Sequence, residues 1–128
     1  MKKWISILLV TVLLSACGQT GENKQEAVYR NITAKEAKEM MDSREGYVIL
    51  DTRTREEYDQ GHIPGAILLP YDQVPEQAED ILPDKDQLIL VYCRSGRRSK
   101  LAAEALVKLG YTNIQEFGGI IDWPYEVE

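Results

Sequence analysis

The sequence contains few cysteines, a single histidine and fewer basic than acidic residues, and these scarcities exclude several classes of protein. Its two cysteines, Cys17 and Cys93, lie far apart and in unlike settings. This separation excludes a metal site built from cysteine pairs and disfavours a disulfide framework. Lys and Arg number 15 against 21 Asp and Glu, so the formal net charge is −6. This negative balance argues against binding of a nucleic-acid backbone, which normally requires a basic face.

The sequence also lacks a hydrophobic run long enough to cross a bilayer. The stretch from Trp4 to Leu14 is uncharged and mostly apolar but only eleven residues long, whereas a spanning helix needs about 20. Together with the positive charges of Lys2 and Lys3, a run of this length is typical of a signal-peptide core. We therefore expect residues 1–16 to be a targeting segment.

The end of this run, Leu14-Ser15-Ala16-Cys17-Gly18, resembles the lipobox of bacterial lipoproteins. The resemblance implies cleavage after residue 16 and a diacylglycerol on Cys17, so that acyl chains such as palmitate hold the protein at a membrane. Each buried methylene adds about 0.8 kcal/mol to such binding. Losing Lys2 and Lys3 would change the net charge from −6 to −8, which leaves lipid rather than a basic patch as the anchor. The alternatives are an uncleaved anchor and a secretory signal in which Cys17 is incidental.

The remainder of the 128 residues has room for one domain of globular composition, with 44% hydrophobic and 28% charged residues. Residues 17–27 are polar after the cysteine and are interpreted as a tether, and residues 28–128 as the domain. An exported lipoprotein would present this domain on the outer face of a membrane or in the periplasm.

Helical and strand patterns alternate through the domain. Capping boxes at Thr33–Glu36 and Thr54–Glu57 predict helices that run to about Ser43 and Gln60. Two more helices are predicted near residues 75–80 and 99–109, and strands over residues 47–50, 66–69, 88–92 and 113–117. The pattern predicts an α/β fold with a mostly parallel central sheet flanked by helices.

Finer features of these elements are also predicted. The first helix should bury Ala37, Met40 and Met41, and Gly46 should stop it. The helix over residues 99–109 has Leu101, Ala105 and Leu109 at apolar spacing, which indicates its inner side, and Gly110 as its C-cap. The pair Gly118-Gly119 is expected to turn the chain.

Cys93 directly follows the strongest predicted strand, and Arg94, Ser95, Gly96, Arg97, Arg98 and Ser99 follow it before a helix. A strand–loop–helix junction at the carboxyl edge of a parallel sheet is where ligands bind, and the helix N-terminus attracts anions. Nearby cations and a helix N-terminus lower a thiol pKa from about 8.5 to roughly 3.5–7.5. Cys93 is therefore predicted to be a thiolate nucleophile, the alternative being an inert core cysteine.

The domain resembles single-domain rhodaneses (thiosulfate sulfurtransferase-like proteins) across about residues 30–125. Besides the Cys93–Ser99 loop, the resemblance rests on Asp51-Thr52-Arg53 with Glu57-Tyr58, on Gly61-His62-Ile63-Pro64-Gly65-Ala66, and on Gly118-Gly119 with Trp123. It implies that Cys93 takes the outer sulfur of a small anionic donor such as thiosulfate, with Arg94, Ser95, Gly96, Arg97, Arg98 and Ser99 binding the substrate. The persulfide would pass its sulfur to a thiol or a cyanide-like acceptor, or to a protein. No metal or organic cofactor is implied.

Some relatives of this fold are phosphatases whose cysteine is followed, after five residues, by an arginine. Ser99 occupies that position here and Arg98 falls one short, so the loop favours sulfur over a phosphoryl group. Asp51 and Arg53 either support this site or serve the structure, because Asp51 can bond loop amides or pair with Arg53. His62 is expected to be structural, since nothing in the sequence shows that it reaches Cys93.

Three functions are compatible with the sequence. The first is an extracytoplasmic sulfurtransferase, and the second is a persulfide carrier that serves a protein partner with little free turnover. The third is a thiol redox sensor, which is disfavoured because acylation of Cys17 would leave Cys93 without a resolving partner in the same chain.

Overall fold

A computed structural model describes residues 28–128. The predicted signal segment, Cys17 and the tether lie outside these residues. Five strands and four helices follow one another: β1 (Arg30–Asn31), α1 (Ala34–Ser43), β2 (Val48–Asp51), α2 (Arg55–Gln60), β3 (Ile67–Leu68), α3 (Val74–Ile81), β4 (Ile89–Cys93), α4 (Arg97–Lys108) and β5 (Ile114–Gly119). Short 3-10 turns at Tyr71–Gln73 and Ile120–Asp122 complete the order.

The strands form one parallel sheet in the order β1-β5-β4-β2-β3. The predicted α/β class is therefore correct. Apolar side chains from the two faces of the sheet form separate buried clusters: one includes Leu50, Val91 and Leu106, the other Ile49, Leu90 and Phe117. Because both faces are covered, β4 is buried at every residue, as its uninterrupted apolar sequence predicts.

Both predicted capping boxes are present. Thr33 accepts from the amide of Glu36, Thr54 accepts from the amide of Glu57, and each glutamate bonds back to the backbone of its threonine. The reciprocal bonds satisfy amides that the first helical turn leaves free. The first helix ends at Ser43, ahead of the left-handed Gly46 that was expected to stop it.

Three sequence predictions were wrong in detail. The strand β1 was missed because its two residues are exposed and carry no apolar pattern. The glycine pair does not turn the chain, because Gly118 and Gly119 continue β5 through a bulge. The buried face of α4 is formed by Ala102, Ala103 and Leu106, whereas Leu101 is 40% exposed.

The physical reason for the α4 error is the rotation of the helix about its axis. The side chains at 99, 102, 103 and 106, which share one helical face, are the ones that face the sheet. Ala105 and Leu109 lie beside this face and are only partly buried against the core, and with Leu101 they line a groove beside Pro75 of α3. Gly110 does follow the last residues of the helix with a φ of 92°, where it closes the helix end as predicted.

Candidate active site

Cys93 is the last residue of β4, at the carboxyl edge of the sheet, and is only 1% exposed. It pairs with Gly119 of β5. Helix α4 begins at Arg97, two residues earlier than predicted, so the connecting loop is only Arg94, Ser95 and Gly96. Because the loop is this short, the thiol lies directly beside the N-terminus of α4.

Backbone amides surround the sulfur of Cys93. The amide of Gly96 donates to Sγ over 3.0 Å, and Gly96 adopts the left-handed backbone that glycine tolerates, with a φ of 106°. Burial raises the thiol pKa, but the nearby Ser99 hydroxyl and the amides of Ser99, Gly96 and Ser95 outweigh it and lower the pKa overall. The thiolate is thus favoured by the Ser99 hydroxyl and by fixed amides of the loop.

The three arginines of the loop segment occupy different surroundings. The Arg98 guanidinium holds Glu57 of α2 with two hydrogen bonds of 2.6 and 2.9 Å. Arg94 and Arg97 are exposed and form no salt bridge with any residue between 28 and 128. These two side chains are therefore free to meet an anion that approaches the loop.

The Arg98–Glu57 pair joins the active-site segment to the second capping box. The hydrogen bond from Arg98, together with the backbone bond at Thr54, outweighs burial and lowers the pKa of Glu57 to about 2. Glu57 therefore caps α2 and orients Arg98 at the same time. The sequence placed Glu57 in a capping box but gave no sign of its second partner.

Asp51 and Arg53 form a buried network beside the site. The Arg53 side chain donates to Asp51 through Nε and Nη2, and its amide also bonds Asp51, so both alternatives for Asp51 are realised. Tyr92 donates to Asp51 over 2.7 Å and accepts from the amide of Ile63. Arg53 also donates to the carbonyl of Gly61. The network ties the end of β2 to the loop that precedes β3.

His62 belongs to that loop and makes its contacts away from the thiol. Its ring stacks on Tyr58 with centroids 3.8 Å apart, and Nδ1 lies 2.9 Å from the Tyr58 carbonyl. Nε2 lies 3.4 Å from a carboxylate oxygen of Glu128. These contacts describe a structural histidine.

Two residues of β5, Gly119 and Glu116, support the cysteine loop in ways that the sequence does not predict. A Cβ atom on Gly119 would overlap the carbonyl group of Arg94, so only glycine fits against the loop there. Glu116 is 2% exposed and accepts from the Ser99 hydroxyl over 2.7 Å and from the Gly118 amide over 2.8 Å. A charged residue within an apolar strand pattern was the available signal for Glu116.

Two cavities differ in their relation to Cys93. The larger, about 450 Å³, lies between α1 and the segment around Trp123 and Tyr125 and contains no residue of the cysteine loop. A smaller one, about 300 Å³, reaches the loop at Arg94. It is lined by Arg53, Glu57, Gln60, Gly61, Arg94, Ile120, Ile121 and Val127. The smaller cavity brings the guanidinium groups of Arg53 and Arg94 and the Glu57 carboxylate to one wall, and Cys93 is not among its lining residues.

Within residues 28–128, no helix is both long and apolar enough to cross a membrane. The same residues contain no group of three or more His, Cys, Asp or Glu side chains that could hold a metal ion. Cys17 lies outside the described residues, so its acylation stays a prediction.

Comparison with known proteins identifies relatives of this chain. Residues 33–124 match the family described as rhodanese-like domain. The chain is 41% identical over 73 residues to the thiosulfate sulfurtransferase PspE of Escherichia coli, which covers 57% of this chain and 70% of the relative. It is 38% identical to the putative sulfur carrier protein YrkF of Bacillus subtilis over 71% of this chain, but this spans only 49% of that relative.

Solved structures share the fold. A rhodanese from E. coli, determined with anions, aligns with a TM-score of 0.60 and 36% identity, covering 64% of this chain and 96% of that one. A rhodanese-related protein from Thermoplasma volcanium aligns with a TM-score of 0.68 and 33% identity, covering 78% and 98%.

Proposed function

This chain belongs to the rhodanese-like family of sulfur-transfer proteins, and we propose that Cys93 carries the transferred sulfur as a persulfide. The observation that supports this most directly is the sulfur of Cys93 at the floor of a loop whose amides lower its pKa. A thiolate is the reactive form of cysteine, and the same amides are placed to stabilise a terminal sulfur anion.

In the first half-reaction the Cys93 thiolate attacks the outer sulfur of thiosulfate. A sulfur–sulfur bond forms to Cys93, the sulfur–sulfur bond of thiosulfate breaks, and sulfite leaves with the electron pair. In the second half-reaction an acceptor such as cyanide attacks the outer sulfur of the persulfide. Thiocyanate forms and the Cys93 thiolate is released, so the cycle is complete without another reactant.

Access to the site favours a small donor. Because Cys93 is 1% exposed, the sulfur is reached only by a group narrow enough to enter the loop. Exposed Arg94 and Arg97 at the rim supply positive charge that attracts an anion. Thiosulfate, a compact dianion, meets both requirements, and the E. coli relative is named for that donor.

Turnover with cyanide tests this function. Purified protein is mixed with thiosulfate and cyanide, and thiocyanate is measured over time for the unaltered chain, for Cys93→Ser and for Cys17→Ser. We expect turnover that survives in Cys17→Ser and is abolished in Cys93→Ser. Full activity in a folded Cys93→Ser variant would contradict the assignment.

A second candidate function is a persulfide carrier for a protein partner. It is favoured by the similarity to a putative sulfur carrier of B. subtilis, of which the chain spans about half. The two functions separate in a single-turnover experiment in which preloaded protein is mixed with cyanide or with a dithiol. Rapid discharge supports the enzyme, whereas a persulfide that forms readily but resists both acceptors supports the carrier.

We further propose that Cys17 carries the lipid anchor and that the domain lies on the extracytoplasmic face of a membrane or in the periplasm. The support is the short apolar run that ends in the lipobox-like sequence. In a bacterial host, Cys17→Ser should move the protein out of the membrane fraction and abolish incorporation of labelled fatty acid. Unchanged membrane association without label would contradict lipidation.

A further inference from the structure

A buried carboxylate lies directly behind the cysteine loop. Glu116 of β5 is 2% exposed and forms no salt bridge with any other described residue. One of its oxygens, Oε1, accepts from the Ser99 hydroxyl at 2.7 Å and from the Gly118 amide at 2.8 Å. A buried anion without a cationic partner is costly, so its position calls for an explanation beyond packing.

The bulge in β5 explains how Glu116 comes to face the loop. Val91 pairs with Glu116, but Cys93 pairs with Gly119, so β5 has one residue more than β4 across this interval. The carboxylate takes the amide of Gly118, which has a φ of 85°. A Cβ atom on Gly96 would lie 3.9 Å from the same oxygen, which places it close beneath the residue that donates to the sulfur.

Ser99 links this carboxylate to Cys93. Its hydroxyl has a single hydrogen, and the nearest acceptor is Glu116 at 2.7 Å, ahead of the Gly96 carbonyl at 3.0 Å. The same hydroxyl is close enough to the Cys93 thiol to help lower its pKa against the effect of burial. Among the described residues, however, its hydrogen bonds go to Glu116, Gly96 and Gly118, and the donor to Sγ is the Gly96 amide. Two anions, the carboxylate and the thiolate, therefore compete for one hydrogen.

We propose that Glu116 is a positioning residue of the sulfur-transfer site, which holds the Ser99 hydrogen away from Cys93 and leaves the sulfur to the backbone amides. This inference builds on the proposed role of Cys93. The consequence is a thiolate that stays a stronger nucleophile, because the nucleophilicity of a thiolate falls as its pKa falls. A carboxylate accepts a hydrogen bond more strongly than an amide oxygen does, so the charge of Glu116 decides the competition.

Two other titratable groups, Arg98 and Tyr29, lie near Cys93 and Glu116. Arg98 interacts with Cys93 through space but is held by Glu57. Tyr29 faces Glu116, and its pKa is raised by burial and then by Glu104 and Glu116. Neither group donates a hydrogen bond to the Glu116 carboxylate in the structure, so Ser99 and Gly118 are its partners.

The test is a double-mutant cycle with Glu116→Gln and Ser99→Ala, each made alone and together in a Cys17→Ser background. Glutamine keeps an oxygen that can accept from Ser99 and Gly118 but removes the charge. The thiol pKa of Cys93 is measured from the pH dependence of alkylation by iodoacetamide. This readout needs no sulfur donor, so it separates failure of the inference from failure of the proposed function.

We expect Glu116→Gln to lower the pKa of Cys93 by about half a unit to one unit, because the Ser99 hydrogen turns to the sulfur. In the Ser99→Ala background the same substitution should change the pKa by less than half as much. An equal shift in both backgrounds would mean that Glu116 acts only through space and would overturn the positioning role. No shift in folded Glu116→Gln would overturn it as well.

Discussion

Two short loops, Arg94–Gly96 and Gly61–Gly65, contribute to one cavity near the carboxyl edge of the sheet, and they use their polar groups in opposite ways. In the loop after Cys93, the Gly96 amide points at the sulfur. In the loop Gly61–Gly65, polar groups are taken up by the fold: Arg53 bonds the Gly61 carbonyl and Tyr92 accepts from the Ile63 amide. Both segments look like family signatures in sequence, but only the first presents donors to a guest.

The difference shows that a glycine-rich motif forms a reactive site here only where its backbone amides point at a reactive side chain. At the Gly61–Gly65 loop, His62 stacks on Tyr58 and the Tyr92 hydroxyl accepts from the Ile63 amide, so these side chains are engaged in contacts within the fold. In the Cys93 loop, burial and amide donors converge on one thiol. Substitutions in the two loops should therefore separate the activity from the stability of the protein.

The largest expected effect is that of Gly119→Ala. A Cβ atom there would overlap the Arg94 carbonyl, so the loop must move away from β5. We expect sulfur loading to fall about 100-fold, because a shift of about 1 Å in a reactive group can cost that much. The rate of persulfide formation is measured in stopped-flow or quenched mass spectrometry.

Gly65→Ala is the matched control in the other loop. Gly65 has a φ of 81°, but a Cβ atom there would have no neighbour within 4 Å. The alanine should cost about 1–2 kcal/mol through backbone strain and leave the loading rate of the folded protein unchanged. Equal loss of loading in both variants would remove the distinction between the loops.

Asp51→Ala should have the next largest effect, on stability. Asp51 is fully buried and balances Arg53, which is 6% exposed. Removing it leaves a buried charge without a partner and should cost about 3–5 kcal/mol, measured by urea unfolding. If the network only supports the fold, the folded fraction should still load sulfur, and a specific loss of loading would show a direct role.

Glu57→Gln should have a smaller and pH-dependent effect. Because Arg98 and Thr54 lower the pKa of Glu57 to about 2 from 4.5, the stabilisation is complete above about pH 4.5 and is lost as the pH falls through about 2. We expect a loss of about 1 kcal/mol in the free energy of unfolding at pH 7 and none well below pH 2, where Glu57 is protonated in both states. Glu36→Gln is the control, since its capping box has no arginine partner.

His62→Ala should have the smallest effect. It removes the stack on Tyr58 and the contact with Glu128, which should cost about 1 kcal/mol. The thiol pKa of Cys93 and the loading rate should not change. A shift in the pH dependence of Cys93 alkylation in this variant would show that His62 influences the thiol pKa.

The fold could be predicted from the sequence where the determining interactions are local. Capping boxes at Thr33 and Thr54 join residues three apart, and the apolar run of β4 follows from burial on both faces. Features that depend on contacts between distant segments could not be predicted. The role of Glu116 depends on a bulge in β5, and the pairing of Arg98 with Glu57 joins residues far apart in the chain.

The central claim is tested most directly by the intact mass of the protein after exposure to thiosulfate. We predict a gain of one sulfur atom that cyanide removes and that is absent in Cys93→Ser, which still contains Cys17. A gain of the same sulfur in Cys93→Ser, or no gain in the unaltered protein with thiosulfate or with a polysulfide donor, would contradict the account.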